Sequence, residues 1–217
     1  MNTKIDVHLT FPTPVIVREL ENAAQLNEAL RRSIIDRKAS SKGIQRSNIL
    51  GWHSDTEMLN WGGEAAQNLA MQTLQTCGEH TTDIGMQGQT PRFEMAMDMW
   101  ANVSPAGASN QSHAHPGALW SAVYYVDDGG DSASGQLVLQ DPRFPMNRAY
   151  VPDLVFVDGD GRKEESQFRI APTPGKLVLF PSWMMHGVKP HQGSRERISI
   201  AMNVMALPVR PNDKAVS

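Results

Sequence analysis

From Arg92 onward the chain is a succession of short apolar stretches cut by turns, and this limits the fold more than any other feature. RFEMAMDMWANVS alternates: Phe93, Met95, Met97 and Met99 fall on one face, Arg92, Glu94 and Asp98 on the other, which is the period of a half-buried strand. Further strand candidates follow at short intervals: LWSAVYYV, GQLVLQD, LVFV, QFRIA, GKLVLF, HGVKP and RISIAMNVMAL, separated by Gly-, Pro- and Asp-rich turns. Many short strands between such turns favour an antiparallel sandwich or barrel. The preceding region reads differently. Residues 4–17 are extended and broken by Pro12 and Pro14, and residues 20–38 form an amphipathic helix with Leu26, Leu30 and Ile34 on one face. GWHSDTEMLNW is irregular, and residues 63–79 form a second helix stopping near Gly78. The expectation is one domain over 1–217, mainly β. It consists of an N-terminal elaboration (1–91), whose two helices pack outside the sheet, and a β core (92–207).

Composition narrows the function. With 217 residues, 40% hydrophobic and 20% charged, the chain is an ordinary globular protein. A formal net charge of -3 without a basic block argues against a nucleic-acid partner. Cys77, the single cysteine, excludes an intramolecular disulfide framework. The N-terminus lacks an apolar signal core, and no apolar run approaches the roughly 20 residues of a membrane span, so a cytoplasmic protein with no membrane partner is expected. A homodimer is compatible with the sequence.

The chemistry concentrates in two places. NQSHAHPGALWSAVYYV carries His113 and His115 one residue apart at the mouth of an apolar strand. Alternate residues of a strand share a face, so His-x-His there aims two imidazoles at one point, a geometry that suits a metal. GKLVLFPSWMMHGVKPHQGSRERISIAMNVM carries His186 after a Pro-Ser turn and, eleven residues on, Arg197 in an Arg-x-Ser with Ser199. On one strand face these two can clamp a carboxylate, the guanidinium bidentately and the serine through its hydroxyl.

In this order of motifs the chain resembles the iron(II)- and 2-oxoglutarate-dependent oxygenases, from about Trp100 to Met205. WANVSPAG precedes the histidines, HAHPGALWSAVYYV carries the first of them, and GQLVLQDPR is a core strand. APTPGKLVLFPSWMMHGVKP delivers the distal histidine and RERISIAMN the arginine. The resemblance implies a double-stranded β-helix, the jelly-roll barrel also seen in cupins. It implies His113 and His186 as iron(II) ligands, Arg197 with Ser199 on the far carboxylate of 2-oxoglutarate, and Asn102 near the co-substrate. The implied reaction is oxidation, chiefly hydroxylation, of a small molecule or peptide side chain, with release of succinate and CO2.

One position departs from the family. The carboxylate of the usual two-histidine facial triad is replaced by His115. A third neutral imidazole can donate to the metal while raising the net charge of the site by one; His115 beside the ligands rather than among them, or a metal other than iron, stays open. Two other functions compete. A cupin-type metalloenzyme would share Gly107 six residues before His113, but lacks the glutamate expected near Ala118 and Leu119, and His186 lies too far from Gly175. A barrel that binds its ligand without turnover is the third reading. Other residues are assigned plainer roles: His53 structural, His191 exposed in a polar turn, the Met face core. Trp120, Tyr124, Tyr125 and Trp183 could line a substrate pocket, but aromatics on strands of a small barrel are mostly packing; Asp127, Asp128 and Asp141 could supply a carboxylate ligand, but nothing in their spacing selects one; and 127–135 is a mobile loop. Substrate information is expected in 127–135, in 143–166 and in the two helices.

Overall fold

The structure, a computed structural model, describes residues 6–85 and 91–209; the first two positions of the extended 4–17 segment and both ends of the single-domain span lie outside them. The N-terminal part contributes β1 (Ile16–Glu19), helix α1 (Ala23–Ser40), two-residue strands β2 (Asn48–Ile49) and β3 (Trp52–His53), the single turn α2 (Met58–Trp61) and helix α3 (Gly63–Glu79). Eight strands follow: β4 (Phe93–Ser104), β5 (Ser109–His113), β6 (Trp120–Asp127), β7 (Leu137–Gln140), β8 (Gln167–Ile170), β9 (Lys176–Pro181), β10 (His186–Val188) and β11 (Arg197–Pro208).

Every strand pair is antiparallel, and the chain crosses repeatedly between two sheets. The larger has the order β1-β9-β6-β11-β4-β3 and the smaller β2-β5-β10-β7-β8. Taking β4–β11 alone, strands from the first and second halves interleave in both sheets, which is the eight-stranded jelly roll. The double-stranded β-helix expected from the resemblance is therefore the observed fold, mainly β with flanking helices.

Alternation along β4, β6 and β11 sets the two faces of the larger sheet. Met99, Ala101 and Val103, Trp120, Ala122 and Tyr124, and Ile198, Ile200, Met202 and Val204 point outward into a core completed by Leu30 and Ile34 of α1 and Ala66, Leu69 and Cys77 of α3. The two N-terminal helices thus cover the outside of the sheet, as expected. The opposite, inward face meets the smaller sheet over Leu137, Leu139, Val178 and Phe180 and lines the cavity described below. Along β4 the Met face is only partly core: Met99 is fully buried, whereas Phe93, near the free end of the strand, is exposed.

Several local expectations are corrected. LVFV (154–157) forms no strand beyond an isolated bridge from Val157 to Lys163, and its side chains lie exposed in the long β7–β8 loop; four apolar residues without a paired neighbour have no ladder to join. Strand β5 is polar, SNQSH, and escapes any hydrophobic pattern. His191 is fully buried, its Nε2 2.8 Å from the carbonyl of Arg195. The 127–135 loop is pinned: Asp127 is buried and ion-paired with Arg31 and Arg195, and its carboxylate accepts the Gly129 amide at 2.7 Å. Among the described residues no helix is long and apolar enough to cross a membrane.

Candidate metal centre

His113 ends β5 and His186 begins β10, and the two stand directly opposite each other in the smaller sheet. Cross-strand neighbours lie about 4.5–5.5 Å apart, and here the ring centroids are 4.4 Å apart. His115 sits two residues past the end of β5, in the turn that leads to β6; it follows a strand rather than opening one. Its position is set by backbone bonds between two turns: the His115 amide donates to the Ser182 carbonyl at 2.9 Å, the Ser182 amide to Leu119 at 3.2 Å, and the Ser182 hydroxyl to Ala118. The β5–β6 turn is thereby clipped to the β9–β10 turn that delivers His186. The His115 ring comes to 4.9 Å from His113 and 5.1 Å from His186.

The donor set suits a metal ion. One ligand atom from each histidine lies within 4.8 Å of the others. The Nδ1 atoms of His113 and His186 face the carbonyls of Gln111 and Met184 at 2.7 and 2.9 Å. A carbonyl can only accept, so those Nδ1 atoms carry the proton and each Nε2 is left with a free lone pair. Burial lowers the pKa of His186 to about 3 and that of His115 to about 4, with the neighbouring imidazoles adding to the shift. Both rings are therefore neutral donors at pH 7. Among the described residues this is the one His/Cys/Asp/Glu cluster of ligand spacing, and no carboxylate belongs to it.

The imidazoles open into a cavity of about 400 Å³ whose far end is closed by Arg197. Arg197 begins β11 opposite Ser104 and is 1% exposed. Its Nη1 donates to the Gly135 carbonyl at 2.8 Å and its Nη2 to the Ser104 hydroxyl at 3.2 Å, while Nε is buried without a partner. No carboxylate among the described residues pairs with it. Desolvation pulls its pKa down. Gly135 has φ +63°, and a Cβ there would lie 3.3 Å from Cδ of Arg197, so a glycine allows the close approach.

Ser199 lies opposite Asn102 on one side and Tyr125 on the other, making one row across β4, β11 and β6. All three line the cavity with Arg197. The hydroxyl of Tyr125 is buried without a partner. An uncompensated guanidinium and an orphaned phenol facing one cavity are the complement of a carboxylate. Tyr125 is a residue that the sequence reading assigned to packing; in WSAVYYV it alternates with Val123 and Ser121, and that inward-facing polar serine was the available signal. His53, read from the sequence as structural, also borders the cavity. Strand β3 pairs with β4, setting His53 opposite Asn102, and its ring stacks on Trp100 at 5.6 Å and 12°. Trp100 in turn meets His115 edge-on at 5.8 Å. Of the aromatics taken as packing, Trp120 and Tyr124 are buried in the outer core, and Trp183 is exposed beside the metal-site turn.

Comparison with known proteins agrees with this geometry. Residues 98–203 match the family described as "Putative 2OG-Fe(II) oxygenase". The fold is similar to that of a prolyl-4-hydroxylase from Pseudomonas putida (20% identity, 89% of this chain and 92% of that one, TM-score 0.57). It is similar to a Trichoplax adhaerens prolyl hydroxylase solved with a hypoxia-inducible-factor peptide fragment (13%, 88% and 83%, TM-score 0.62). A third is HygX from Streptomyces hygroscopicus, solved with nickel and 2-oxoglutarate (11%, 89% and 83%, TM-score 0.59). No curated protein sequence matches the chain. The family match runs from β4 into β11 and so covers the β core, leaving the N-terminal elaboration outside it.

Proposed function

We propose that the chain is an iron(II)- and 2-oxoglutarate-dependent oxygenase that hydroxylates a small molecule or a peptide side chain. The observation that carries this reading is Arg197: a buried guanidinium without a protein counter-ion, at the closed end of the cavity that holds three imidazoles. Burying an unpaired charge costs several kcal/mol, and a site that keeps one is built for an anion. The Arg-x-Ser pair also separates this reading from a cupin that uses no diacid.

In this reading His113, His115 and His186 hold the metal, with the carbonyls of Gln111 and Met184 fixing the tautomers of two of them. Arg197 and Ser199 take the far carboxylate of 2-oxoglutarate, Tyr125 donates its free hydroxyl to the same group, and Asn102 borders it. Iron(II), when bound, supplies the activation of O2 coupled to decarboxylation of the co-substrate. One oxygen atom of O2 enters the substrate as C–OH and the other enters succinate, while CO2 leaves. The protein orients both substrates, and the two clipped turns hold His115 beside the other two imidazoles. The chain acts as one domain, 1–217, in the cytoplasm.

The test is iron(II) and 2-oxoglutarate together under nitrogen, followed by admission of O2. A visible metal-to-ligand charge-transfer band, then succinate release, is expected. Bound iron with no band on adding 2-oxoglutarate would refute bidentate co-substrate binding.

A further inference from the structure

The cavity carries two more formal charges, and both sit outside the row of residues just described. Asp98 lies on the inward face of β4, opposite Asn203 of β11. Asn203 is three alternate positions beyond Arg197, about 20 Å along the strand, so Asp98 belongs to the open end of the cavity, away from the buried guanidinium. Arg46 reaches the cavity from the segment entering β2, on the side of the smaller sheet, and its charge is felt by His53. Both side chains are solvent-exposed. Elsewhere the described charges are extensively paired: Arg31 and Arg195 with Asp127, Arg37 with Asp55, Arg92 with Asp83, Arg148 with Glu164. Among the described residues no ion pair involves Asp98 or Arg46. Lone surface charges are ordinary, but these two have opposite sign and line one concave site whose inner charge already has an assigned ligand.

We propose that the open end of the cavity binds a small zwitterion, a free amino acid or a related amino-carboxylate, with its ammonium group at Asp98 and its carboxylate at Arg46. The proposal deepens the oxygenase reading, on which it rests for the chemistry that follows binding. A residue inside a peptide would offer two amides here and leave both charges without a counter-ion, whereas the termini of a free amino acid match them in sign and number. Size agrees: about 400 Å³ is near the lower end for ligand pockets and must also admit 2-oxoglutarate. The side chain of the zwitterion would then run between Trp100 and Val123 toward the imidazoles.

The experiment is calorimetric titration of the protein loaded with iron(II) and 2-oxoglutarate under nitrogen, using the proteinogenic L-amino acids, then the N-acetyl and the amide forms of any that bind. At least one free amino acid should bind, and blocking either end should weaken it by about ten-fold or more, the lower range for a charged hydrogen bond. In Asp98→Asn the ratio between free and N-acetylated forms should collapse toward one. In Arg46→Gln the ratio between acid and amide should collapse likewise, each variant leaving the other ratio intact. No binding, equal binding of blocked forms, or ratios that survive both substitutions would overturn the proposal. The charge-transfer band, recorded in the same samples before titration, keeps the two readings apart: a band with no amino-acid binding overturns only the zwitterion, and binding without a band overturns only the oxygenase chemistry.

Discussion

Replacing Arg197 with Met separates binding from folding at the closed end of the cavity. The native guanidinium is 1% exposed and lacks a carboxylate, so the empty protein bears a desolvation cost of several kcal/mol. Two hydrogen bonds, to Gly135 and Ser104, return about 1.5–3 kcal/mol each. The two contributions nearly offset, and Met fills similar space without charge. The variant free of metal and co-substrate should therefore melt within a few degrees of wild type, since about 1 kcal/mol corresponds to about 2–4 °C at this chain length. Co-substrate binding should behave differently. Removing one partner of a partly buried Arg–carboxylate pair costs about 2–4 kcal/mol, or about 30- to 1000-fold in affinity. At a 2-oxoglutarate concentration 100 times the wild-type Kd, ligand binding stabilises wild type by about 2.7 kcal/mol and the variant by about 0.9 kcal/mol at most. Thermal melts with and without 2-oxoglutarate, in the presence of iron(II) under nitrogen, read both quantities. A variant that keeps the full ligand-induced shift would refute the assignment of Arg197. One that loses most of its stability before any ligand is added would show that the arginine serves the fold.

Other expectations follow from the same geometry. His115→Asp should keep the metal site occupied with a net charge lower by one, whereas His115→Ala should weaken iron binding by about 100-fold or more, the upper range already seen for lost supporting groups; a metal-bound crystal structure with His115 turned away from the ion would refute both. Gly135→Ala, at φ +63° and pressing on Arg197, should lower 2-oxoglutarate affinity while the imidazole cluster still takes iron, read by titration of each. In the metal-free protein His186 has its pKa lowered to about 3 by burial against about 6.5 unfolded. The unfolded chain thus binds the extra proton first, and stability should fall as pH drops from about 6.5 toward 3; denaturation midpoints flat across that window in wild type would contradict it. Cys77, fully buried and with its thiol pushed up to about 12, should resist alkylation at pH 8 until the protein is unfolded.

The inward and outward alternation of β4, β6 and β11 was legible because each strand buries one apolar face against helices, and that burial writes a period of two into the sequence. β5 was not, since it sits in the smaller sheet between β2 and β10 with a polar SNQSH sequence and its place is set by strand pairing rather than by an apolar face. For the same reason His113 could be chosen as a candidate while its strand could not be drawn. LVFV failed in the other direction: an apolar run with no partner strand looks like a strand and is a loop. His53 and Tyr125 needed the register. The pairing of β3 with β4, and the row Asn102–Ser199–Tyr125, brings them to the cavity; the alternation of Tyr125 with Ser121 was a local hint of the inward face but could not name its cross-strand neighbours. His191 was misplaced because a polar turn usually lies in solvent, whereas this one is folded back against Gly129.

The departure at His115 gains a structural rationale from where it sits. A ligand on a strand is positioned by the ladder, as His113 and His186 are by their mutual pairing. His115 lies beyond the ladder, and its place depends on the Ser182 carbonyl and on the edge of Trp100, itself backed by His53. A carboxylate in that turn would have a shorter reach. An imidazole brings a larger apolar surface that packs against both Trp100 and His186. In the proposed reading a site without a carboxylate would leave the charge of a divalent ion to be balanced by the ligands that enter, and 2-oxoglutarate is a dianion. Charge balance is thereby shifted from the protein to the co-substrate. In the proposed reading a metal held by the three histidines and the guanidinium of Arg197 would both face one small anion, and among the described residues neither the histidine cluster nor Arg197 has a carboxylate partner.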